Sequence, residues 1–249
     1  MKFVCVIPAR YASSRLPGKP LALIGGKPMV QHVYERAAGA AKIDEVIVAT
    51  DDRRILDAVQ EFGGKAVMTD PALPSGTDRV YQAIKDQPDV DVVINLQGDE
   101  PFIEPQLLNQ LCAVFEEQPE VRIATPIKRI KEAADLENPN LVRVTRDKNG
   151  FALYFTRSVI PYLRDEKERA LWHERAPFYK HVGIYSYRKD CLAELTALEQ
   201  SSLEQIEKLE QLRFLENGYR IYTLITDYES LSVDTADDLE KVNRFIKSR

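Results

Sequence analysis

The chain has 249 residues, 44% hydrophobic and 29% charged, and 34 Lys and Arg against 39 Asp and Glu leave it a net charge of −5. This composition excludes a disordered chain and fits one domain with a modest second lobe. The acidic balance removes the broad positive field of a nucleic-acid binder, and no stretch approaches the run of about 20 apolar residues that a membrane span needs.

Cys5, Cys112 and Cys191 are too widely and unequally spaced for a zinc motif or a disulfide framework, which fits a reducing compartment. Residues 3–7 form an apolar run too short for a signal-peptide core and read as a buried strand. A helix follows from Pro28 to about Ala41, with the proline in its first turn. Glu45–Thr50 reads as a second strand, and Asp52–Phe62 as a helix that Gly63 and Gly64 end. After a short strand over Lys65–Met68 comes a helix over Gly76–Lys85, with Ser75 as its N-cap. Val90–Leu96 is a strongly apolar strand and Pro105–Glu116 a helix. Short apolar strands of this kind are buried on both faces, as in a parallel sheet covered by helices.

Beyond residue 120 the pattern changes. Residues 121–127 read as a strand and 131–136 as a short helix. Leu141–Thr145 and Phe151–Phe155 flank Asp147-Lys148-Asn149-Gly150, a hairpin signal. Residues 161–177 are charged and irregular, a surface excursion or mobile loop. Residues 182–187 alternate like a strand, and Arg188–Leu198 and Leu203–Glu216 read as helices. The second of these carries Ile206, Leu209 and Leu212 on one broad face and is closed by Asn217-Gly218. Arg220–Thr226 is a strand, and the last helix starts near Thr235 or Ala236. The expectation is one α/β domain over residues 1–249, Rossmann-like with a mostly parallel central sheet. A smaller mixed lobe of about residues 128–220 is built into its second half.

Ligands of a parallel sheet bind at the carboxyl ends of its strands, and two candidate loops lie there. The loop after the first strand carries Arg10, Arg15 and Lys19, with Ser13, Ser14 and Gly18 between them. Such cations and accessible backbone donors suit a triphosphate. The loop has neither P-loop spacing nor a GxGxxG fingerprint, which weakens a dehydrogenase reading. Gln97-Gly98-Asp99-Glu100 follows the apolar strand. Asp99 is placed to bind a Mg²⁺ that bridges phosphate oxygens, with Gly98 allowing close approach of backbone and ligand. Glu100 either shares that role or caps the next segment. Asp234 precedes the last helix, where capping and metal binding are equally open.

Ser75 and Gly76 open a helix whose free amides can read base edges, while Ser75 also serves as a plain N-cap. In the second lobe Arg157, His181, Tyr185, Glu210 and Gln211 stand out. His181 is an edge histidine or a ligand, and by pattern alone Glu207 and Glu210 are a solvated helix face. Nothing marks a nucleophile with a paired base. Three cations in one loop beside an acid at a neighbouring strand end favour phosphoryl or nucleotidyl transfer.

Residues 7–21 (IPARYASSRLPGKPL), 75–79 (SGTDR), 95–101 (NLQGDEP), 152–161 (ALYFTRSVIP), 181–188 (HVGIYSYR), 203–218 (LEQIEKLEQLRFLENG) and 232–242 (SVDTADDLEKV) together resemble the sugar-acid cytidylyltransferases. The full set is most similar to their 3-deoxy-D-manno-octulosonate (Kdo) branch. The resemblance implies that CTP is a co-substrate, its phosphates held by Arg10, Ser13, Arg15 and Lys19. It places Ser75, Gly76, Arg79 and Gln97 around the cytosine and ribose, and Asp99 and Asp234 on Mg²⁺. Arg157, His181, Tyr185, Glu210 and Gln211 would face the sugar acid. Arg10, Lys19, Asp99 and Asp234 would then carry catalysis, forming CMP-Kdo and diphosphate for lipopolysaccharide synthesis. A cytoplasmic homodimer is also implied, with no nucleic-acid partner and no membrane insertion. One departure is that residues 228–233, YESLSV, lack the glycine or proline that the family often places before the metal aspartate. The alternatives are a sister enzyme of the same fold acting on another acid, and a nucleotide-binding regulator without catalysis.

Overall fold

Strand β1 (Phe3–Ala9) is apolar along its whole length because both of its faces are covered. The computed structural model describes residues 1–12 and 16–247, with side chains to residue 244 at the C-terminal end. In chain order the first half continues with a small hairpin, β2 (Leu23–Ile24) and β3 (Lys27–Pro28), then α1 (Met29–Ala38), β4 (Glu45–Thr50), α2 (Arg53–Glu61), β5 (Ala66–Met68), α3 (Gly76–Ile84), β6 (Val92–Asn95) and α4 (Pro105–Glu117). The second half runs β7 (Ile123–Arg129), α5 (Ala133–Glu137), β8 (Arg143–Arg146), β9 (Ala152–Thr156), α6 (Trp172–Arg175), β10 (Tyr179–His181) and β11 (Tyr185–Arg188). It closes with α7 (Lys189–Thr196), α8 (Ser202–Glu207), α9 (Gln211–Glu216), β12 (Tyr222–Thr226) and α10 (Ala236–Lys247).

One ten-stranded sheet runs through the chain in the order β5-β4-β1-β6-β11-β7-β10-β8-β9, with β12 paired to β7. β5, β4, β1 and β6 are parallel. β11 joins them antiparallel to β6, and the β8–β9 hairpin is attached through β10. Side chains alternate across β1. Cys5 and Ile7 pack with Val30 and Val33 of α1 and Leu107, Leu108 and Leu111 of α4. Val4 and Val6 pack on the opposite face with Val80 of α3, Leu192 and Leu195 of α7 and Leu212 of α9. This period of two produces the expected α/β/α layering of a Rossmann-like fold. Each fully buried Val, Ile or Leu contributes about 1.5–3 kcal/mol to that core. Among the described residues no helix is long and apolar enough to cross a membrane.

Three expected elements differ. The strand expected over 182–187 forms only from Tyr185, as β11, and a separate short strand, β10, precedes it on the same edge of β7. Pro126 is the physical reason. Its carbonyl accepts from Val182 N at 3.0 Å. A strand residue's N–H and C=O point to the same edge, so the donor that proline lacks is missing where the pairing stops. The Thr125 hydroxyl fills the gap, lying 2.7 Å from the Ile184 carbonyl.

The helix expected over Leu203–Glu216 breaks at Lys208, which takes a left-handed φ of 56°. Arg213 Nε and Nη2 donate to the two Glu204 carboxylate oxygens at 2.9 and 2.8 Å, and both side chains are buried. In an unbroken helix residues nine apart are about half a turn out of phase and about 13 Å apart along the axis. The buried pair therefore requires the break. Leu209 and Leu212 are buried as expected, but Ile206 is 76% exposed. The excursion at 161–177 is anchored by Trp172, which is buried against Phe178 and donates from Nε1 to the Glu166 carbonyl at 2.8 Å.

Candidate active site

A cavity of about 400 Å³ opens at the carboxyl ends of β1 and β6. Arg10, Lys19, Ser75, Gly76, Arg79, Gln97, Asp99 and Asp234, far apart in sequence, line it together. Ser13 and Arg15 lie outside the described residues.

Local backbone geometry explains how two of its loops meet. Gly18 has φ 68°, and a Cβ there would come within 3.1 Å of the Tyr11 ring, so only glycine lets the loop turn back and send Lys19 inward. Gly98 allows a close approach, but to protein and not only to a ligand. A Cβ there would stand 3.1 Å from the Pro8 carbonyl, so the ends of β1 and β6 can pack tightly and carry Asp99 beside the first loop.

Lys19 Nζ donates to Asp99 Oδ2 at 2.6 Å and to Asp234 Oδ1 at 2.9 Å. Burial works to lower the ammonium, but the two carboxylates outweigh it and hold it above its usual range. Asp234 is not the helix cap. Thr235 Oγ1 accepts from Asp238 N, and Asp238 Oδ2 accepts from Thr235 N at 3.0 Å, so that pair caps the last helix. Val233 packs with Ile24 and Met29, and Asn243 of α10 bonds Gly25 N and the Leu23 carbonyl, which docks the helix on the β2–β3 hairpin.

Glu100 neither joins the aspartates in holding Lys19 nor caps the next helix. It is 6% exposed and accepts from Tyr228 OH at 2.9 Å and from the Ser230 hydroxyl. Burial pushes its carboxyl above the usual range, against these donors.

Arg79 is fully buried and is committed to Asp51 at 2.8 Å and to Thr69. Burial lowers its guanidinium against the attraction of Asp51. Arg10 lies 3.7 Å from the same Asp51 and donates to the Leu73 carbonyl, which joins the first loop to the Ser75 loop. Among the described residues Nε of Arg10 and Nε of Arg79 are buried without a hydrogen-bond partner, Nε of Arg10 lying 3.7 Å from the Asp51 carboxylate. Asp51 is absent from the sequence reading, although its position directly after apolar β4 is the same signal that marked Asp99. Ser75 caps α3 as expected, its Oγ accepting from Asp78 N at 3.2 Å. Gln97 Nε2 donates to Asn95 Oδ1 at 3.1 Å.

The candidates from the second half of the chain form a looser set. The interrupted strand brings the His181 and Tyr185 rings to 5.2 Å, with Phe155 on the other side of the imidazole. Burial pushes His181 down to about 3, so the ring is neutral at ordinary pH. Thr125 Oγ1 lies 2.9 Å from His181 Nε2 and 2.7 Å from the Ile184 carbonyl. With its single proton given to that carbonyl, Thr125 accepts from Nε2–H, which leaves Nδ1 as an acceptor.

Glu210 is not on a solvated helix face. It follows the Lys208 break, accepts from the Thr77 hydroxyl and lines a second cavity of about 410 Å³ that shares Pro74 and Ser75 with the first. Gln211 is 6% exposed at the start of α9. Thr77 is a further residue that sequence reasoning missed, because only the broken helix brings Glu210 to it. Arg157 is apart from these groups: it is exposed and donates to the carbonyls of Glu207 and Pro139. Glu207 is likewise engaged, accepting from Thr156 Oγ1 at 2.5 Å and from Arg157 N at 3.1 Å.

A sequence profile of the family described as cytidylyltransferase matches residues 4–221. The chain is 51% identical over 253 aligned residues to a 3-deoxy-manno-octulosonate cytidylyltransferase of Bacteroides thetaiotaomicron, with 100% of both chains covered. It is 50% identical to one of Geotalea uraniireducens, covering 99% of this chain and 100% of that one. Its structure is similar, at a TM-score of 0.92 and 46% identity, to a CMP:2-keto-3-deoxy-manno-octonic acid synthetase solved in complex with CTP, with 100% and 99% of the two chains covered. A 4-diphosphocytidyl-2C-methyl-D-erythritol synthase of Anaerococcus prevotii shares the fold at a TM-score of 0.64 and 14% identity, with 99% and 96% covered.

Proposed function

Because the chain belongs to the 3-deoxy-manno-octulosonate cytidylyltransferase family, we propose that it transfers CMP from CTP to the anomeric hydroxyl of Kdo. The observation that carries this reading is the meeting of Lys19, Asp99 and Asp234 in one cavity with Arg10 and the Ser75 loop. In the reaction the anomeric hydroxyl releases its proton to solvent as its oxygen bonds to the α-phosphorus of CTP, the bond from that phosphorus to the bridging oxygen breaks, and diphosphate leaves.

Each residue set has a physical task. Arg10 and Lys19 bind the triphosphate and neutralise the charge that grows on the departing diphosphate. In this reading Arg15 and Ser13 belong to the same loop. Ser75, Gly76 and Gln97 line the wall offered to the cytidine. Neutral His181, with Tyr185, Glu210 and Gln211, orients the sugar acid, and Arg157 supplies positive charge for its carboxylate.

Asp99 and Asp234 fit Mg²⁺. Two carboxylates already converge on one cationic atom, and they are the oxygen donors that a hard cation prefers. When bound there, the ion supplies charge neutralisation at the α-phosphate and orients the attacking hydroxyl. Lys19, beside the same two carboxylates, would supply positive charge to the triphosphate. A homodimer working in the cytoplasm on lipopolysaccharide synthesis completes the proposal.

The test is diphosphate release from CTP and Mg²⁺ with Kdo, with N-acetylneuraminic acid and with no acceptor. Release with Kdo alone, abolished by a chelator, is the expected result. Release with the other acid moves the chain to a sister activity. CTP binding without release under any condition contradicts the proposal.

A further inference from the structure

Between β12 and α10 the chain crosses residues 227–234 without regular secondary structure, and its side chains alternate. Asp227 and Glu229 face the second lobe. The Asp227 carbonyl accepts from Lys128 Nζ at 2.6 Å, its carboxylate lies 3.3 Å from Lys131, and Glu229 pairs with Lys128 at 2.8 Å and Lys180 at 2.6 Å. Tyr228 and Ser230 face the other way, and both donate to Glu100, one to each oxygen. The segment then reaches Val233, whose N–H donates to the Asp99 carbonyl at 3.0 Å. Asp234 is the next residue. Glu100 itself follows Asp99.

We propose that Glu100 is a positioning residue that clips the segment before Asp234 onto the Asp99 loop and so sets the spacing of the two carboxylates. It does this without touching nucleotide or metal. A buried carboxylate is costly unless hydrogen bonded, and both oxygens here are engaged by hydroxyl donors from this one segment. The clip is therefore the interaction that this placement satisfies. The segment has no strand ladder of its own, so individual contacts such as this one set its path, and a displacement of about 1 Å in a supporting element is enough to cost about 100-fold in a reaction. The ion pairs on the opposite side hold the same segment to β7 and β10, where Lys180 directly precedes His181. The segment is thus held on both of its sides.

This inference rests on the reading of Asp99 and Asp234 as the metal pair, and two measurements separate the two ideas. The first is hydrogen–deuterium exchange of residues 228–235 in the whole metal-free protein. It compares wild type, Glu100→Ala, Glu100→Gln and the double variant Tyr228→Phe/Ser230→Ala. The Val233 amide should exchange at least about ten-fold faster in Glu100→Ala and in the double variant, with Glu100→Gln between, while β1 and β4 stay protected. The second is Mn²⁺ titration in the presence of CTP, followed by electron paramagnetic resonance. The Mn²⁺ dissociation constant should rise about 10- to 100-fold in the same variants, as for other loss of support behind metal ligands. Metal-free CTP affinity should stay within about two-fold, a split that general loosening of the fold does not produce.

Wild-type Mn²⁺ affinity and Val233 exchange in the double variant would overturn the clip. So would a loss confined to Glu100→Ala, because the carboxylate would then act without its hydroxyl partners. Wild-type protein that binds no Mn²⁺ would overturn the metal pair itself, whatever the exchange shows.

Discussion

The cavity at β1, β4 and β6, the first end of the proposed site, stands on strands that run directly into their loops, whereas the His181 and Glu210 group, its proposed second end, stands on two interrupted elements. At the first end the parallel pairing of β1 with β4 and β6 sets side by side the strand ends that lead into Arg10, Asp51 and the Asp99 loop. At the second end, a strand that stops opposite Pro126 and a helix that stops at Lys208 set the geometry. The first arrangement depends on the sheet as a whole. The second depends on single residues that break a regular pattern, so it is the more easily altered by one substitution.

The largest effect is expected at the first end. Asp99→Ala should lower diphosphate release at least about 100-fold, the scale of losing a strong electrostatic contributor, with little change in melting temperature. Near-normal turnover in a steady-state assay would remove Asp99 from the chemistry and leave the two ends without a centre.

The second end should respond to acid. Burial holds His181 at about 3 against 6.5 for an exposed imidazole, so between those values the unfolded chain binds more protons than the folded one. The stability from its neutral burial is complete above pH 6.5 and falls as pH drops, by at most about 1.4 kcal/mol per unit. His181→Asn should remove that part of the slope. Urea unfolding at pH 7 and pH 5 measures it, and an identical slope in both proteins would mean that the ring is not buried neutral.

Lys208 tests the helix break. Lys208→Val places a β-branched residue at φ 56° and should cost about 1–2 kcal/mol, whereas Lys208→Gly should be neutral or stabilising. Equal unfolding midpoints for the two variants would contradict a left-handed Lys208.

The same contrast governs what could be read from the chain. The layering and most of the first half follow from apolar runs and end signals: Ser75 caps its helix, and Arg10, Lys19 and Asp99 line one cavity as loops at strand ends suggest, whereas Asp234 was joined to them only by the family resemblance. Asp51 carries the same signal and was passed over beside the richer loop. The role of Glu100 was not legible, because its partners lie about 130 residues away and only the path of residues 227–234 brings them to it.

In the second half, periodicity misleads where a tertiary contact outweighs it. Ile206, Leu209 and Leu212 fit one helical face, yet the buried Glu204–Arg213 pair forces a break that exposes Ile206 and turns Glu210 towards Thr77. Pro126 was the visible sign of the split strand, but it sits on the partner strand, so a reading of residues 182–187 alone cannot use it. The charged excursion hid its anchor, since one tryptophan among many charges carries no periodic signal.

The most direct test of a site built from two ends is calorimetric titration of CTP into wild type, Glu210→Ala and Lys19→Ala, with diphosphate release measured on the same preparations. The account predicts that Glu210→Ala keeps CTP affinity within about two-fold while its KM for Kdo rises about ten-fold, and that Lys19→Ala weakens CTP itself. Equal loss of CTP affinity in both variants would contradict it, because Glu210 would then belong to the nucleotide end.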